Sequence, residues 1–161
     1  MMEQVRTTTP SDPAGASTIE ALFRAEYVSM VRLAYTLVGN NAEAEELVQE
    51  SFLEVFRRLD EINQPGAYLR TTLVRRCRSV LRRRRVMQSH PPEPPQDLPA
   101  SAGELWDVLN QLHEDQRLVV VLRFYGQHRA SEIAAVMEIP ASTVRSHLKR
   151  GLAAMRKELE R

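Results

Sequence analysis

The 161-residue sequence has a single cysteine, Cys77, and only six glycines. One cysteine excludes an internal disulfide and fits a reducing compartment such as the cytosol. Because glycine is scarce and helix-forming residues dominate the periodic segments, we expect an all-α fold. The longest apolar run, Leu118–Leu122, is far too short to span a membrane, and the N-terminus lacks a signal-peptide pattern. These absences predict a cytoplasmic protein, unless a partner tethers it to a membrane.

Residue types that build catalytic and metal sites are also sparse. The four histidines are scattered without metal-ligand spacing: His90, His113, His128 and His147. The sequence contains neither a Gly-rich phosphate loop nor a nucleophile elbow. The arginines on either side of Cys77 favour a lowered thiol pKa, but an inert, half-buried thiol is the more common situation. The sequence therefore predicts no enzyme activity, no metal site and no cofactor.

The charged residues are segregated along the chain, although the formal net charge is only +1. With 43% hydrophobic and 27% charged residues, the composition is that of a soluble globular protein. We predict a disordered tail over residues 1–16, a helical module over 17–86, a proline-rich linker over 87–100 and a second helical module over 101–161. Each module is small, so it must bury its core alone or against a partner.

Capping signals set the predicted helix boundaries. Ser17 and Ser101 each precede a glutamate by three residues, as in a capping box, and Asn41 can cap the second helix. Gly39 suits the position just after the first helix, and Pro65 suits the first turn of the third. We therefore expect three helices in the first module and four in the second.

The second predicted helix carries a stripe of carboxylates along one side. Its members are Glu43, Glu46, Glu50 and Glu54. Like charges at this spacing repel one another, so the arrangement costs stability. The stripe is either a solvated surface or a docking surface for a basic partner, to which Gln49 and Leu53 would add polar and apolar contacts. A paired-carboxylate active site is disfavoured because no His or Cys lies nearby.

The third predicted helix has the opposite charge. From Arg70 to Arg85 it contains arginines and no acid: Arg70, Arg75, Arg76, Arg78, Arg82, Arg83, Arg84 and Arg85. A surface helix stabilised by salt bridges would alternate in sign, so this pattern favours contact with a phosphate backbone. Plain solubility and anionic-lipid binding are the alternatives. Tyr68, at the start of this helix, could stack on an unpaired base, although a tyrosine there is more often part of a core.

Residues 130–157 have the layout of a helix-turn-helix. A short helix, predicted over 131–137, precedes a break at Glu138, Ile139 and Pro140. Glu138 must then adopt a left-handed conformation that glycine adopts more easily. The same pattern fits a simple αα-hairpin, so the motif alone favours DNA binding without requiring it.

The last predicted helix has one apolar face and one basic, polar face. We expect it to start at Ser142 or Thr143 as N-cap, with an apolar stripe formed by Val144, Leu148, Leu152 and Met155. The opposite face presents Arg145, Ser146, Lys149 and Arg150. A helix of this kind can enter a DNA major groove, where arginine recognises guanine edges.

The order of these segments resembles that of the extracytoplasmic-function (group 4) sigma factors of bacterial RNA polymerase, and in particular their actinobacterial members. The resemblance covers nearly all of residues 23–158. It depends on residues 44–52 (AEELVQESF), residues 65–70 (PGAYLR), the arginine run, the linker, and residues 143–152 (TVRSHLKRGL). It implies a sigma region 2 domain, a linker, and a sigma region 4 domain that contains the helix-turn-helix.

The resemblance also implies roles for individual residues. Docking on the β′ clamp helices of core polymerase would use Glu46, Gln49, Glu50 and Leu53. Recognition and melting of the −10 element would use Asn63, Tyr68, Arg70, Arg75, Arg76, Arg78, Arg82 and Arg83. Recognition of the −35 element would use Ser142, Thr143, Arg145, Ser146, Lys149 and Arg150. Further implied partners are the β flap, promoter DNA and an anti-sigma factor, which could provide the membrane tether.

The chain departs from the family pattern at four positions. Tyr68 replaces the usual Trp, which preserves an aromatic face. Arg75 replaces a common Asn, which puts the base preference at the −10 element in doubt. Glu138 and Ser142 replace glycines of the turn.

Two other functions remain open from the sequence. A stand-alone helix-turn-helix repressor or activator would explain the C-terminal module but neither the acidic stripe nor the arginine helix. An adaptor whose two modules bind only protein would explain the helices without any DNA. Binding of the adaptor would be insensitive to salt, whereas phosphate contacts weaken steeply as salt rises.

Overall fold

The computed structural model describes residues 13–87 and 100–161, and within these ranges the chain is helical and has no strand. The seven helices are α1 (Pro13–Val38), α2 (Asn41–Arg57), α3 (Pro65–Val86), α4 (Ala100–Gln111), α5 (Glu114–Phe124), α6 (Ala130–Met137) and α7 (Ala141–Leu159). The all-α prediction is confirmed. Most of the predicted tail and linker, residues 1–12 and 88–99, lies outside the described residues.

Several predicted helix starts are wrong by one to four residues. The first helix begins at Pro13 rather than at Ser17, so residues 13–16 are helical and not part of a disordered tail. The fourth begins at Ala100, which places Ser101 inside the helix and removes its predicted capping role. Proline suits a first helical turn because its fixed φ is already helical and its missing N–H is not needed there. For the first helix, the proline is therefore a stronger start signal than the serine that follows it.

The caps of α2 and α7 also differ from the prediction. Asn40, not Asn41, is the N-cap of α2, and its side-chain oxygen accepts a hydrogen bond of 2.9 Å from the Glu43 amide. The N-cap of α7 is Pro140, with φ −61° and ψ 147°. Ser142 and Thr143 therefore lie within the first turn of α7 instead of capping it. The extended backbone that proline favours already gives the chain its entry angle into the helix.

The first module is a three-helix unit in which α1 packs against both α2 and α3. Gly39 has φ 74°, the left-handed conformation predicted for it, and this lets the chain turn sharply from α1 into α2. A 3-10 turn, Leu59–Glu61, then leads toward α3, whose first residue is Pro65 as predicted. The short connections hold α2 and α3 side by side.

The second module is built around α5. Its apolar run, Leu118–Leu122, is buried between the neighbouring helices, and α5 packs extensively against α7. The contact is close at Gly151, where an added Cβ would lie 2.9 Å from Cγ2 of Val120. Leu152, which we placed in the apolar stripe of α7, is 40% exposed. Gly151 occupies the packing position instead, because its missing side chain lets the two helices approach.

The two modules share one continuous core. Buried side chains of α1 and α3 join those of α5, α6 and α7 in a single cluster, and α3 contacts both α5 and α6. The modules therefore bury apolar surface against each other, as expected if each module is too small to bury its core alone.

Arg117 of α5 is a buried polar connection between the modules. Its guanidinium donates to the carbonyls of Leu109 at 2.9 Å and Asn110 at 2.8 Å, and to that of Leu37 at 3.4 Å. These carbonyls lie in the last turns of α4 and α1, where backbone acceptors lack helical partners. Burial lowers the pKa of Arg117 to about 10, so the side chain remains protonated at neutral pH.

We predict that Arg117→Met lowers the free energy of unfolding by about 2–3 kcal/mol, because three buried carbonyls lose a charged donor. Methionine keeps much of the length and apolar volume of the side chain, so the loss reports mainly on hydrogen bonding. Urea unfolding followed by circular dichroism measures the change. Arg123→Met, at an exposed position on the same helix, is the matched control and should change stability by less than about 0.5 kcal/mol. Equal effects of the two substitutions would contradict this role for Arg117.

Cys77 is fully buried in α3, and burial raises the pKa of its thiol to about 12. The inert thiol is therefore the correct interpretation, and the neighbouring arginines do not activate it. We predict that Cys77 of the native protein resists aromatic disulfide reagents at pH 8 and reacts promptly once the chain is unfolded in guanidinium chloride. Prompt reaction of the folded protein would show that the thiol is accessible as a thiolate.

Candidate nucleic-acid interface

One face of α2 is exposed and carries the four residues that we assigned to docking. Three of them follow Glu46 by three, four and seven residues: Gln49, Glu50 and Leu53. All four therefore lie together on the helix surface. All four are exposed, and Leu53 exposes 50% of its surface although it is apolar. The face therefore offers charge, an amide and an apolar contact side by side.

Three carboxylates of the stripe are paired with arginines of α3. Arg76 bridges Glu50 and Glu54, with a nitrogen-to-oxygen distance of 2.9 Å to each. Arg84 forms an ion pair with Glu43 and also donates to the carbonyl of Val38. These pairs were missed from the sequence, where the two charged helices were treated as separate surfaces. Their opposite charges and the short connection between the helices were the available signal.

An open groove of about 510 Å³ lies between the end of α2 and the start of α3. It is lined by Arg58, Glu61, Ile62, Asn63, Gln64, Ala67, Tyr68 and Thr71. Two residues assigned to the −10 element, Asn63 and Tyr68, meet in this groove. A third, Arg70, does not line the groove: it is half-buried and donates to the Gly66 carbonyl of its own helix. The groove thus combines amide, cationic and aromatic groups.

Tyr68 is held in place by charged neighbours. Its hydroxyl accepts a hydrogen bond of 2.7 Å from Arg58 and donates one of 3.1 Å to Glu54. Partial burial would raise the pKa of Glu54, but the hydrogen bonds from Arg76 and Tyr68 outweigh this effect and leave that pKa below its ordinary value. Glu54 therefore stays ionised. It connects the groove to Arg76, which also pairs with Glu50 on the exposed face of α2. Arg58 and Glu54 precede Tyr68 by ten and fourteen residues, and nothing in the sequence pattern linked them to it.

The remaining arginines of α3 mostly face the second module. Arg75 forms an ion pair with Glu138, in the turn between α6 and α7. Arg78 forms a bidentate ion pair with Asp115, in which Nε lies 2.8 Å from Oδ1 and Nη2 lies 3.1 Å from Oδ2. Glu114 lies 4.0 Å from Arg82 and 3.2 Å from Arg85. In the described part of the chain, Arg83 is exposed and has no carboxylate within ion-pair distance.

The α3–α5 ion pair shifts the titration of Asp115. Partial burial would raise its pKa, but the hydrogen bonds and positive charge of Arg78 outweigh burial and lower the pKa below the ordinary value of 3.8. A carboxylate with a lowered pKa in the folded state stabilises that state above the unfolded pKa and loses this contribution as the pH falls. The pair is therefore fully formed at neutral pH, and its contribution is lost in acid as the pH falls through the lowered pKa of Asp115.

The helix-turn-helix has the geometry that the sequence indicated. Glu138 is left-handed with φ 55°, and the Ile139 amide closes the end of α6 by donating to the Ala134 carbonyl at 3.1 Å. Ile133 and Val144 are buried between the two helices. The turn thereby fixes the angle at which α7 leaves α6.

The basic face of α7 points to solvent. Arg145, Ser146, Lys149 and Arg150 are exposed, as is Ser142, while Thr143 is half-buried. Ser146 donates to the Ser142 carbonyl of its own helix at 3.1 Å. Among residues 13–87 and 100–161, no carboxylate lies within ion-pair distance of Arg145, Lys149 or Arg150. The cations of this face are thus unpaired, in contrast to most of those on α3.

Other kinds of site find no support in the parts of the chain that the structure covers. No three His, Cys, Asp or Glu side chains in those parts come together as a metal site would require. None of the helices described there has both the length and the hydropathy needed to cross a bilayer.

Comparison with known proteins identifies both modules. Residues 22–86 match the family Sigma-70 region 2, and residues 102–155 match the family Sigma-70, region 4. The RNA polymerase sigma-E factor of Streptomyces avermitilis is 33% identical, over 88% of this chain and 84% of its own length. That of Streptomyces coelicolor is 34% identical, over 87% of this chain and 85% of its own length.

Two solved structures share the fold. The sigma factor RpoE, in complex with the anti-sigma factor NepR from Bartonella quintana, has a TM-score of 0.68 at 22% identity, covering 90% of this chain and 96% of that one. CnrH, in complex with the cytosolic domain of CnrY, has a TM-score of 0.71 at 19% identity, covering 90% and 89%. The chain therefore belongs to the sigma factors of bacterial RNA polymerase, in the extracytoplasmic-function group that combines region 2 with region 4.

Proposed function

We propose that this sigma factor docks on core polymerase through α2 and recognises promoter DNA through two further surfaces, one in each module. The observation that carries this proposal is the juxtaposition in region 2 of an exposed acidic face and an open aromatic groove. The exposed residues Glu46, Gln49, Glu50 and Leu53 supply the docking face. Negative charge on this face favours fast, oriented docking on a basic partner surface such as the β′ clamp helices.

The groove beside Tyr68 is the proposed site for a base of the −10 element. A base turned out of the duplex loses stacking and pairing worth a few kcal/mol, which contacts in the groove must replace. The Tyr68 ring can stack on the base, and Asn63 can hydrogen-bond to its edge. Opening of the promoter thus requires no catalytic residue, because binding free energy holds the separated strand.

The exposed face of α7 is the proposed site for the −35 element. Arg145, Lys149 and Arg150 are unpaired cations on a helix presented by a helix-turn-helix, which suits entry into a major groove. Ser142, Thr143 and Ser146 add hydroxyls near the start of the same helix, where backbone amides favour phosphate. Region 4 would also contact the β flap of the polymerase.

We further propose an anti-sigma partner for this chain. The RpoE and CnrH structures are complexes with NepR and with the cytosolic domain of CnrY. A partner of that kind would hold this sigma factor away from polymerase and, if itself embedded in a membrane, would tether it there.

A stand-alone helix-turn-helix repressor or activator explains less of the molecule. It would use α6 and α7 on duplex DNA but would leave the exposed α2 face and the groove beside Tyr68 without a role. Transcription by core polymerase on a promoter library separates the two functions. A sigma factor must add specific start sites, and the absence of any such gain with several bacterial cores would rule out the proposal.

We predict that Gln49→Ala with Glu50→Ala weakens binding to core polymerase at least about tenfold, because two contacts in the centre of a docking face are lost. Fluorescence anisotropy of labelled sigma factor titrated with core measures this. Gln49→Ala alone, which leaves the Glu50–Arg76 pair intact, should account for a clear part of the loss. Gln111→Ala with Glu160→Ala removes the same two groups from exposed positions in region 4. If this control weakened binding as much as the α2 variant, docking through α2 would be wrong.

We predict that Arg145→Ala abolishes selectivity for the −35 element, at a cost of about 1–3 kcal/mol per specific contact. Binding to core polymerase should survive, because the docking face lies in the other module. Competition between wild-type and scrambled −35 duplexes measures selectivity. Lys157→Ala, with the same loss of charge near the other end of α7, should lower affinity for both duplexes equally. Retained selectivity in Arg145→Ala would exclude this residue from base recognition.

A further inference from the structure

We propose that an acidic surface of region 4, formed by Glu114, Asp115 and Glu138, is an internal competitor with DNA for the arginines of α3. The inference rests on the proposed role of α3 in contacting the −10 strand. In the closed arrangement, the two modules pack against each other and these carboxylates occupy the guanidinium groups that phosphates would bind. The free sigma factor would then have part of the arginine surface of α3 masked, whereas the groove beside Tyr68 stays open.

Arg78 provides the most specific of these contacts. Two of its nitrogens lie 2.8 and 3.1 Å from the two carboxylate oxygens of Asp115. Its third nitrogen lies 3.4 Å from the carbonyl of Met137, at the last residue of α6. One guanidinium thus binds both the start of α5 and the end of α6. Its side chain is only 20% exposed, so a phosphate cannot reach it in this arrangement without displacing region 4.

The pairs on either side extend this contact along α3. Arg75 pairs with Glu138 at one end, and Arg85 and Arg82 face the buried carboxylate of Glu114 at the other. Glu114 has a side chain that is only 4% exposed and therefore needs cationic partners. Acids from two places in region 4, the start of α5 and the turn after α6, are thus matched to successive turns of one arginine helix.

A carboxylate and a phosphate compete for arginine by the same chemistry. Both are anions that accept two parallel N–H donors from a guanidinium. A guanidinium that is paired with a carboxylate is therefore unavailable to a phosphate. The apparent affinity for the competing ligand falls in proportion to the fraction of molecules that are open. The −10 surface is therefore coupled to separation of the modules.

Masking is confined to one of the two DNA surfaces. Arg145, Lys149 and Arg150 of α7 form no ion pair with the described residues, whereas Arg75, Arg78 and Arg82 each lie within 4.0 Å of a carboxylate of region 4. A general shortage of counter-charges would affect both surfaces alike. The asymmetry indicates that the acids of region 4 are placed toward α3 and away from α7.

The test compares two double variants that remove the same amount of negative charge. Asp115→Asn with Glu138→Gln neutralises two of the three carboxylates of the proposed competitor with little change of shape, and it keeps the buried Glu114. Asp107→Asn with Glu160→Gln neutralises two exposed acids of region 4 that form no ion pair with the described residues. Each variant of the full chain carries dyes at Ser29→Cys in α1 and Ala153→Cys in α7, both exposed positions. Energy transfer between the dyes measures separation of the modules, and anisotropy measures binding of a single-stranded DNA of about 20 nucleotides.

We expect the competitor variant to show lower energy transfer without DNA and to bind the oligonucleotide about five- to tenfold more tightly than wild type, consistent with a larger open fraction. The control variant should keep the wild-type energy transfer and tighten binding less than about twofold, through its charge change alone. Identical behaviour of the two double variants would overturn the proposal. If the competitor variant fails to fold by circular dichroism, Glu138→Gln alone, at an exposed turn position, provides the same comparison against Glu160→Gln.

These outcomes are distinguishable from a failure of the proposed function. Energy transfer without DNA reports on closure alone, whatever the chain does with polymerase. If wild type supports no initiation but the competitor variant opens, closure is correct and the role in transcription is wrong. If wild type supports initiation and neither double variant changes energy transfer, the role in transcription stands and the internal competitor does not.

Discussion

The guanidinium groups along α3 lie between carboxylates of α2 on one side and carboxylates of α5 and of the α6–α7 turn on the other. A helix with this density of like charge is poorly stable by itself. The pairs with α2 fix the packing inside region 2, and the pairs with Glu114, Asp115 and Glu138 help to place region 4 against it. Apolar burial supplies most of the attraction between the modules, but it has no direction, whereas the forked Arg78–Asp115 pair does.

Sequence patterns located the helices because each depends on local periodicity, whereas the predicted N-caps did not match the observed helix starts. They also gave the exposed faces of α2 and α7 correctly, since polar residues on one side of a helix with an apolar opposite side face solvent. They did not give the partners of Arg76 and Arg78, which lie 22 and 37 residues away along the chain, and only the pair within region 2 had a signal in the opposite charges of two adjacent helices. Such contacts depend on how helices pack, which periodicity does not encode. The network of Tyr68, Arg58 and Glu54 was missed for the same reason.

The ion pair between Arg75 and Glu138 joins α3 to the turn between α6 and α7. Glu138 adopts a left-handed backbone, which costs a residue with a side chain about 1–2 kcal/mol more than it costs glycine. The exposed pair offsets only part of this cost. The pair is therefore a contact between α3 and the turn that a glycine at position 138 could not make.

Under the proposals made above, the α3 arginines serve both closure and DNA binding, and this changes how their substitution must be interpreted. Removing Arg78 would delete a candidate phosphate contact and, at the same time, release Asp115 and the end of α6 from α3. The first change weakens DNA binding, whereas the second favours the open form, so the two changes act on initiation in opposite directions and partly cancel. Removing Asp115 separates them, because Asp115 touches α3 and belongs to neither DNA surface. For a surface that serves both closure and DNA binding, the acid partners are therefore more informative to mutate than the arginines themselves.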